Sequence, residues 1–152
     1  MKKKVMIKPI IINNIKDEYV PSSKDFNNWI SVLEFEINSE LTIKIASVEE
    51  MRNFNMLYKM QDKVSDTLAF PFENEGHGNI DFLGDIVMCA KKINQDSLKY
   101  KKEKRERWAH LTIHSVLHIL GYNHDNTEDQ NIMENLEIST LKKLNIMKPY
   151  EI

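Results

Sequence analysis

The sequence predicts an α+β fold, a β-sheet with helices packed on it. Three observations carry this expectation. Strand-like and helix-like segments interleave, one apolar run has the look of a central strand, and amphipathic helical patterns gather toward the end. The 152 residues suit one domain, 1–152, long enough to bury a core. With 41% hydrophobic and 29% charged residues the composition is that of a soluble globular protein. A net charge of -2 excludes a globally basic nucleic-acid binder, so any RNA or DNA contact must come from a local patch. The single cysteine, Cys89, excludes an internal disulfide and fits a reducing cytoplasm. The opening "MKKKVMIKPIIINN" is basic and then apolar, but Lys8 and Pro9 interrupt it and no small-residue cleavage site follows, so it is not read as a signal peptide. No stretch approaches a transmembrane span.

Taken in order, "VMIKPIII" reads as a strand that Pro9 confines to an edge or a bulge. "SSKDFNNWISVLEFEI" reads as a helix, with Ser22 and Asp25 as an imperfect capping box and Phe26, Trp29, Ile30 and Leu33 as its apolar stripe. "LTIKIAS" alternates Leu41, Ile43 and Ile45 with Thr42 and Lys44, the pattern of a half-buried strand. Ser47 and Glu50 form a capping box for a helix whose stripe is Met51, Phe54, Leu57 and Tyr58. "TLAFPF" is a short strand ended by proline, and "FENEGHGN" is a loop holding His77. "GDIVMCA" is apolar enough for a central strand, with Cys89 an inert buried thiol. Helical patterning runs over 95–120, in one piece or two, and Gly121 stops it. Thr127 and Gln130 open a last amphipathic helix over 128–144 with Ile132, Leu136, Leu141 and Leu144 facing inward.

Four of the five histidines lie within positions 110–124. His114 and His118 are four apart on a predicted helix, so both rings lie on one face and reach one ion. Gly121 accepts positive φ without a Cβ penalty, which lets the chain turn back and deliver His124 to the same ion. The spacing H-x-x-x-H-x-x-G-x-x-H matches the metal-binding frame of metzincin proteases. Three imidazoles suit one Zn²⁺ per chain and leave a coordination position for water, the catalytic type of site. Asp125 and Asp129 either close the shell or hold imidazole tautomers from behind. The competing reading, a metal-free surface or core cluster, suits a lone histidine better than three around a glycine. His110, one turn before His114, either stands behind the ligands, touches substrate, or packs on Trp108. Zincin proteases carry a Glu after the first histidine as general base; here that position is Ser115. Losing that proton shuttle costs about 10²–10⁴-fold in peptide hydrolysis and turns the reading toward phosphodiester chemistry, where metal and added cations stabilise charge.

With these residues in view, "HSVLHILGYNH" resembles the motif H-G-x-L-H-L-x-G-Y-D-H of the YbeY family of bacterial endoribonucleases. "DKVSDTLAFPFE" is similar to that family's T-D-V-L-S-F-P-F segment, and "LGDIVMCAKKI" to its L-G-D-I-x-I strand. "WAHLTIH" and the closing acidic helix also match, in collinear order over the second half to two-thirds of the chain. The resemblance implies a small mixed sheet of about four strands with five or six helices, distantly metzincin-like. It implies zinc held by His114, His118 and His124, and metal-dependent cleavage of single-stranded RNA. It further implies a cytoplasmic role in maturation of the small-subunit ribosomal RNA 3′ end and in ribosome quality control. Partners would be ribosomal RNA, the small subunit and assembly factors, with no membrane and no DNA. His114 and Lys59 are the expected catalytic residues. Lys59 stands where the family has Arg, which keeps charge but loses the bidentate fork for phosphate. Ser115 replaces a Gly beside the metal and is expected to narrow substrate approach; Ser65 replaces Thr, and Asn123 replaces Asp before His124. Asp85 either faces a groove and meets a partner or caps a turn. The run "KYKKEKRER" either follows RNA phosphates or is a solvated helix face, and Phe70 and Phe72 either stack bases or belong to the core. Met133 lies too close to His124 for a metzincin Met-turn and is taken as core. The alternative to a nuclease is a non-catalytic, metal-stabilised ribosome-assembly module, and a zinc peptidase is disfavoured by Ser115.

Overall fold

The computed structural model describes residues 7–35, 37–73 and 82–150. His77 and most of its predicted loop lie outside the described residues. The elements run β1 (Ile7–Ile12), α1 (Ser23–Ser31), β2 (Ser39–Ala46), α2 (Val48–Lys59), β3 (Thr67–Pro71), β4 (Phe82–Cys89), α3 (Ala90–Lys99), α4 (Lys104–Ile119) and α5 (Thr127–Lys142). The four strands form one mixed sheet in the order β1-β2-β4-β3. β1 pairs parallel with β2, β2 parallel with β4, and β3 antiparallel with β4. The α+β expectation therefore holds, with four strands and five helices among the described residues. Pro9 sits on the edge strand β1, where a missing backbone donor costs no ladder bond on the open side.

β4 lies inside the sheet and is covered on both faces, which is why its sequence is apolar without alternation. Ile86 and Met88 join Leu41, Ile43 and Ile45 on the face packed by α1, α3 and α4, with Phe26, Trp29, Trp108 and Leu117 filling the layer. Val87 and Cys89 face the other way, against Ala46 and Met51, with Phe54, Leu68 and Phe70 at the margin. Burial raises the Cys89 thiol pKa, so it is an inert packed group. Gly84 lets β3, β4 and α4 approach closely. A Cβ there would strike the Phe70 carbonyl oxygen and come within 2.9 Å of Ile119 Cδ1, at a φ of +151°.

Several local signals act as expected. Ser22 with Asp25 and Ser47 with Glu50 both close complete capping boxes. The 95–120 helix is in fact two: α3 already begins at Ala90, and the chain turns through Lys101, at φ +56°, into α4. Four corrections follow from packing. α1 ends at Ser31, not in the mid-thirties, although Leu33 is still buried. On α2, Leu57 and Tyr58 are 71% and 57% exposed, because the sheet covers the helix only as far as Met51 and Asn55. α5 is capped by Asn126, whose side chain accepts from the Asp129 N–H, one residue before the expected Thr127. Its buried side is Met133, Glu137, Thr140 and Leu141, while Ile132 is half exposed. No helix among the described residues is long and apolar enough to cross a membrane.

Candidate metal centre

α4 is the interior helix of the molecule. Between positions 108 and 119 every residue is buried except His114 and His118. The two imidazoles thus mark the one open stripe of the helix, as their four-residue spacing requires. The helix then stops in a Schellman motif. The Gly121 N–H donates to the His118 carbonyl and the Tyr122 N–H to the Leu117 carbonyl, each at 3.0 Å, with Gly121 at φ +100°. The reversal brings exposed His124 back to the helix face, where its ring stacks on His114 with centroids 5.8 Å apart.

The ligating nitrogens of His114, His118 and His124 lie within 4.8 Å of one another. Nε2 of His114 and Nε2 of His118 are 3.1 Å apart. Tetrahedral zinc with Zn–N bonds of ordinary length needs nitrogens about 3.3 Å apart. The donor set therefore fits a small divalent ion with little movement. Burial lowers the His118 pKa, as do neighbouring His114 and His124, against a hydrogen bond to the Tyr122 backbone and the charge of Glu137. That favours the neutral imidazole a metal requires.

Behind the triad stands a residue that sequence reasoning missed. Glu137 of α5 has no solvent exposure. One carboxylate oxygen receives Nδ1 of His114, and the other receives Nε2 of His110 at 3.2 Å and the Tyr150 hydroxyl. Donation through Nδ1–H fixes the His114 tautomer and leaves Nε2 free to ligate, the usual carboxylate–histidine support of a metal site. Burial alone would raise the Glu137 pKa. Hydrogen bonds from His110, His114 and Tyr150, together with the charge of His114, outweigh burial and hold it at about 2. Burial, the bond to Glu137 and the charges of Glu137 and Glu134 push the Tyr150 hydroxyl far above the usual phenol range, so it stays a donor. The sequence signal was a Glu on the buried side of α5, between Met133 and Leu141. Of the acids expected in that role, Asp129 is engaged in the N-cap, its carboxylate accepting from Asn126 Nδ2, and Asp125 is exposed, its N–H donating to Asn123 Oδ1.

A cleft of about 290 Å³ opens beside the triad, with His114 and His124 on one wall and Gln130, Met133, Glu134, Glu137 and Tyr150 on the other. Met133 is both core and cleft wall, being 1% exposed. His110, 5% exposed, is nearly enclosed; it supports Glu137 and packs edge-on against the Tyr150 ring at 4.9 Å. Ser115 is 1% exposed, which corrects the expectation that it narrows substrate approach. One residue along a helix is a rotation of about 100°, so Ser115 leaves the histidine stripe and shares the face of Ile119, which packs at Gly84. Lys59 ends α2 and is exposed, its Nζ 5.9 Å from the Phe70 ring centroid, and it is not part of the cleft wall. Asp85 is exposed within β4, where its carboxylate accepts from Thr42 across the strand pair; it caps no turn. The basic run is split by the α3–α4 turn, and part of it is used internally. Arg105 pairs with Asp25 at 3.0 Å, Arg107 with Asp66 at 3.4 Å, and Lys102 donates to the Lys148 carbonyl. Phe70 packs among Phe54 and Tyr58, whereas Phe72 is 54% exposed.

Comparison with known proteins finds a family that covers most of the chain. The sequence profile of the family described as Endoribonuclease YbeY matches residues 11–145. The chain is 40% identical to the Endoribonuclease YbeY of Buchnera aphidicola subsp. Schizaphis graminum, over 99% of this chain and 97% of that protein. It is 34% identical to the Endoribonuclease YbeY of Colwellia psychrerythraea, over 86% and 88%. In shape it resembles the solution structure of TM1509 from Thermotoga maritima, with a TM-score of 0.57 over 92% of each chain; at 19% identity that likeness shows the fold alone.

Proposed function

Because this chain belongs to the YbeY endoribonuclease family, we propose that it is a zinc-dependent endoribonuclease that cuts single-stranded RNA and matures the 3′ end of small-subunit ribosomal RNA. The observation that carries this reading is the triad of His114, His118 and His124, anchored through His114 on buried Glu137 and open to a cleft. When bound, the ion supplies positive charge at the phosphoryl oxygen and lowers the pKa of a water. The chain's own residues orient the site. Glu137 fixes the His114 tautomer, Gly121 places His124, and the wall of α5 bounds the reacting phosphate. Lys59 adds a point charge for RNA phosphate on the side of the sheet where β3 lies. Asp85, exposed on β4, offers a contact to the small subunit or an assembly factor. The reading includes a single-domain, cytoplasmic protein with a part in ribosome quality control, and one buried cysteine supports the reducing compartment.

Purified protein is expected to carry about one zinc per chain and to cut single-stranded RNA, with both properties lost in His118→Ala. Lys59→Ala should weaken cleavage and leave the zinc in place. Zinc bound without cleavage of any single-stranded RNA would overturn the nuclease reading in favour of a metal-stabilised ribosome-assembly module.

A further inference from the structure

We propose that Glu134 is the proton carrier of this site, the carboxylate that takes the proton from the attacking water and returns it to the leaving oxygen. The inference rests on the endoribonuclease reading and fills its main chemical gap. The zincin position for a general base holds Ser115, which is buried and carries no carboxylate. Of the remaining acids near the triad, the Asp129 carboxylate accepts from Asn126 Nδ2 in the α5 cap, and Asp125, next to His124, is exposed and does not line the cleft. Glu137 is fully buried and takes hydrogen bonds from His110, His114 and Tyr150, so it cannot leave its place to shuttle a proton.

Glu134 differs on each count. It lines the cleft together with His114 and His124. It is only partly buried, and among the described residues the one hydrogen bond its carboxylate receives comes from neutral Gln130 at 3.0 Å. It precedes Glu137 by three residues on the same helix face, about 4.5 Å along the axis. The carboxylate is therefore about one turn from a group that touches the first ligand. Its charge is also felt at the Tyr150 hydroxyl on the same wall. The cleft that Glu134 shares with His114 and His124, at about 290 Å³, has room for a phosphate and a water. In the step, a water O–H bond breaks as the new P–O bond forms, and the proton passes to the Glu134 carboxylate. The P–O bond to the leaving ribose oxygen then breaks with both electrons on that oxygen, which takes the proton back from Glu134. Glu134 ends as it began, and the sum is water plus phosphodiester giving a phosphomonoester and a free ribose hydroxyl.

The test uses the zinc-loaded full chain, a single-stranded RNA oligonucleotide, and the variants Glu134→Gln and Glu134→Ala. Both are expected to keep one zinc per chain and a KM within about threefold of wild type, while kcat falls about 10²–10⁴-fold. Added formate, a carboxylate small enough to occupy the vacated volume, is expected to restore part of the rate to Glu134→Ala and none to His118→Ala. Variants that cut RNA at the wild-type rate overturn this assignment alone, and so does a loss of rate traced to lost zinc. Wild-type protein that cuts no RNA overturns the functional reading and this assignment with it.

Discussion

Glu137 shows how much one residue decides. Its folded pKa of about 2 lies below the ordinary value of 4.5, so the native state prefers the ionised form. The stabilisation is fully present above about pH 4.5 and is lost as pH falls toward 2. A shift of that size is worth about 3 kcal/mol. Metal-free wild type should lose that much stability across this acid range when unfolding is followed by tryptophan fluorescence, and Glu137→Gln should show a much flatter acid limb. The same substitution should weaken zinc binding about 10–100-fold, because His114 loses the acceptor that fixes its tautomer. Equal zinc affinity in the two proteins would remove Glu137 from the site. The histidine triad was legible because its geometry is local: one helix spacing and one turn. Glu137 was not, since its partners meet only when α5 packs on α4. Ser115 was legible in part. The missing carboxylate at its position is plain in the sequence, but its burial against the sheet side of α4 depends on packing that spacing does not reveal.

Among the elements, the turn after α4 matters most to the site. Gly121 has open space where a Cβ would be, so the cost of Gly121→Ala comes from its φ of +100° alone. A loss of about 1–2 kcal/mol is expected in thermal or urea unfolding, with zinc affinity falling further because His124 follows the turn. Gly121→Asn, which tolerates left-handed backbone better, should recover part of both. If Gly121→Ala binds zinc as tightly as wild type, the turn does not place His124. Capping boxes at Ser22 and Ser47 were readable because both partners sit within one turn. The start of α5 was less so: Asn126 and Thr127 are adjacent and both able to cap, and the choice of Asn126 is made by its bonds with Asp129. Leu57 and Tyr58 were misassigned as buried because periodicity cannot tell how far a sheet extends over a helix.

Across the whole molecule, the sheet is the rigid plate against which α4 holds its histidines outward. Its strand order was not legible, since β1, β2 and β4 pair across long stretches of chain. Gly84 is where plate and helix touch. Gly84→Ala is expected to lose about 3 kcal/mol or more in chemical denaturation, because the Phe70 carbonyl is backbone and cannot swing away. Faster amide exchange in β3 would accompany it, and an unchanged midpoint would show that the strands can part without consequence. The hydroxyl that steadies Glu137 has a different kind of consequence, one of timing. A chain synthesised from its N-terminus carries His114, His118 and His124 well before it carries Tyr150. Until residue 150 has emerged, the imidazoles exist but the carboxylate behind them has lost one of its three donors. The nascent protein thus holds its histidine cluster with incomplete support until Tyr150 has been added.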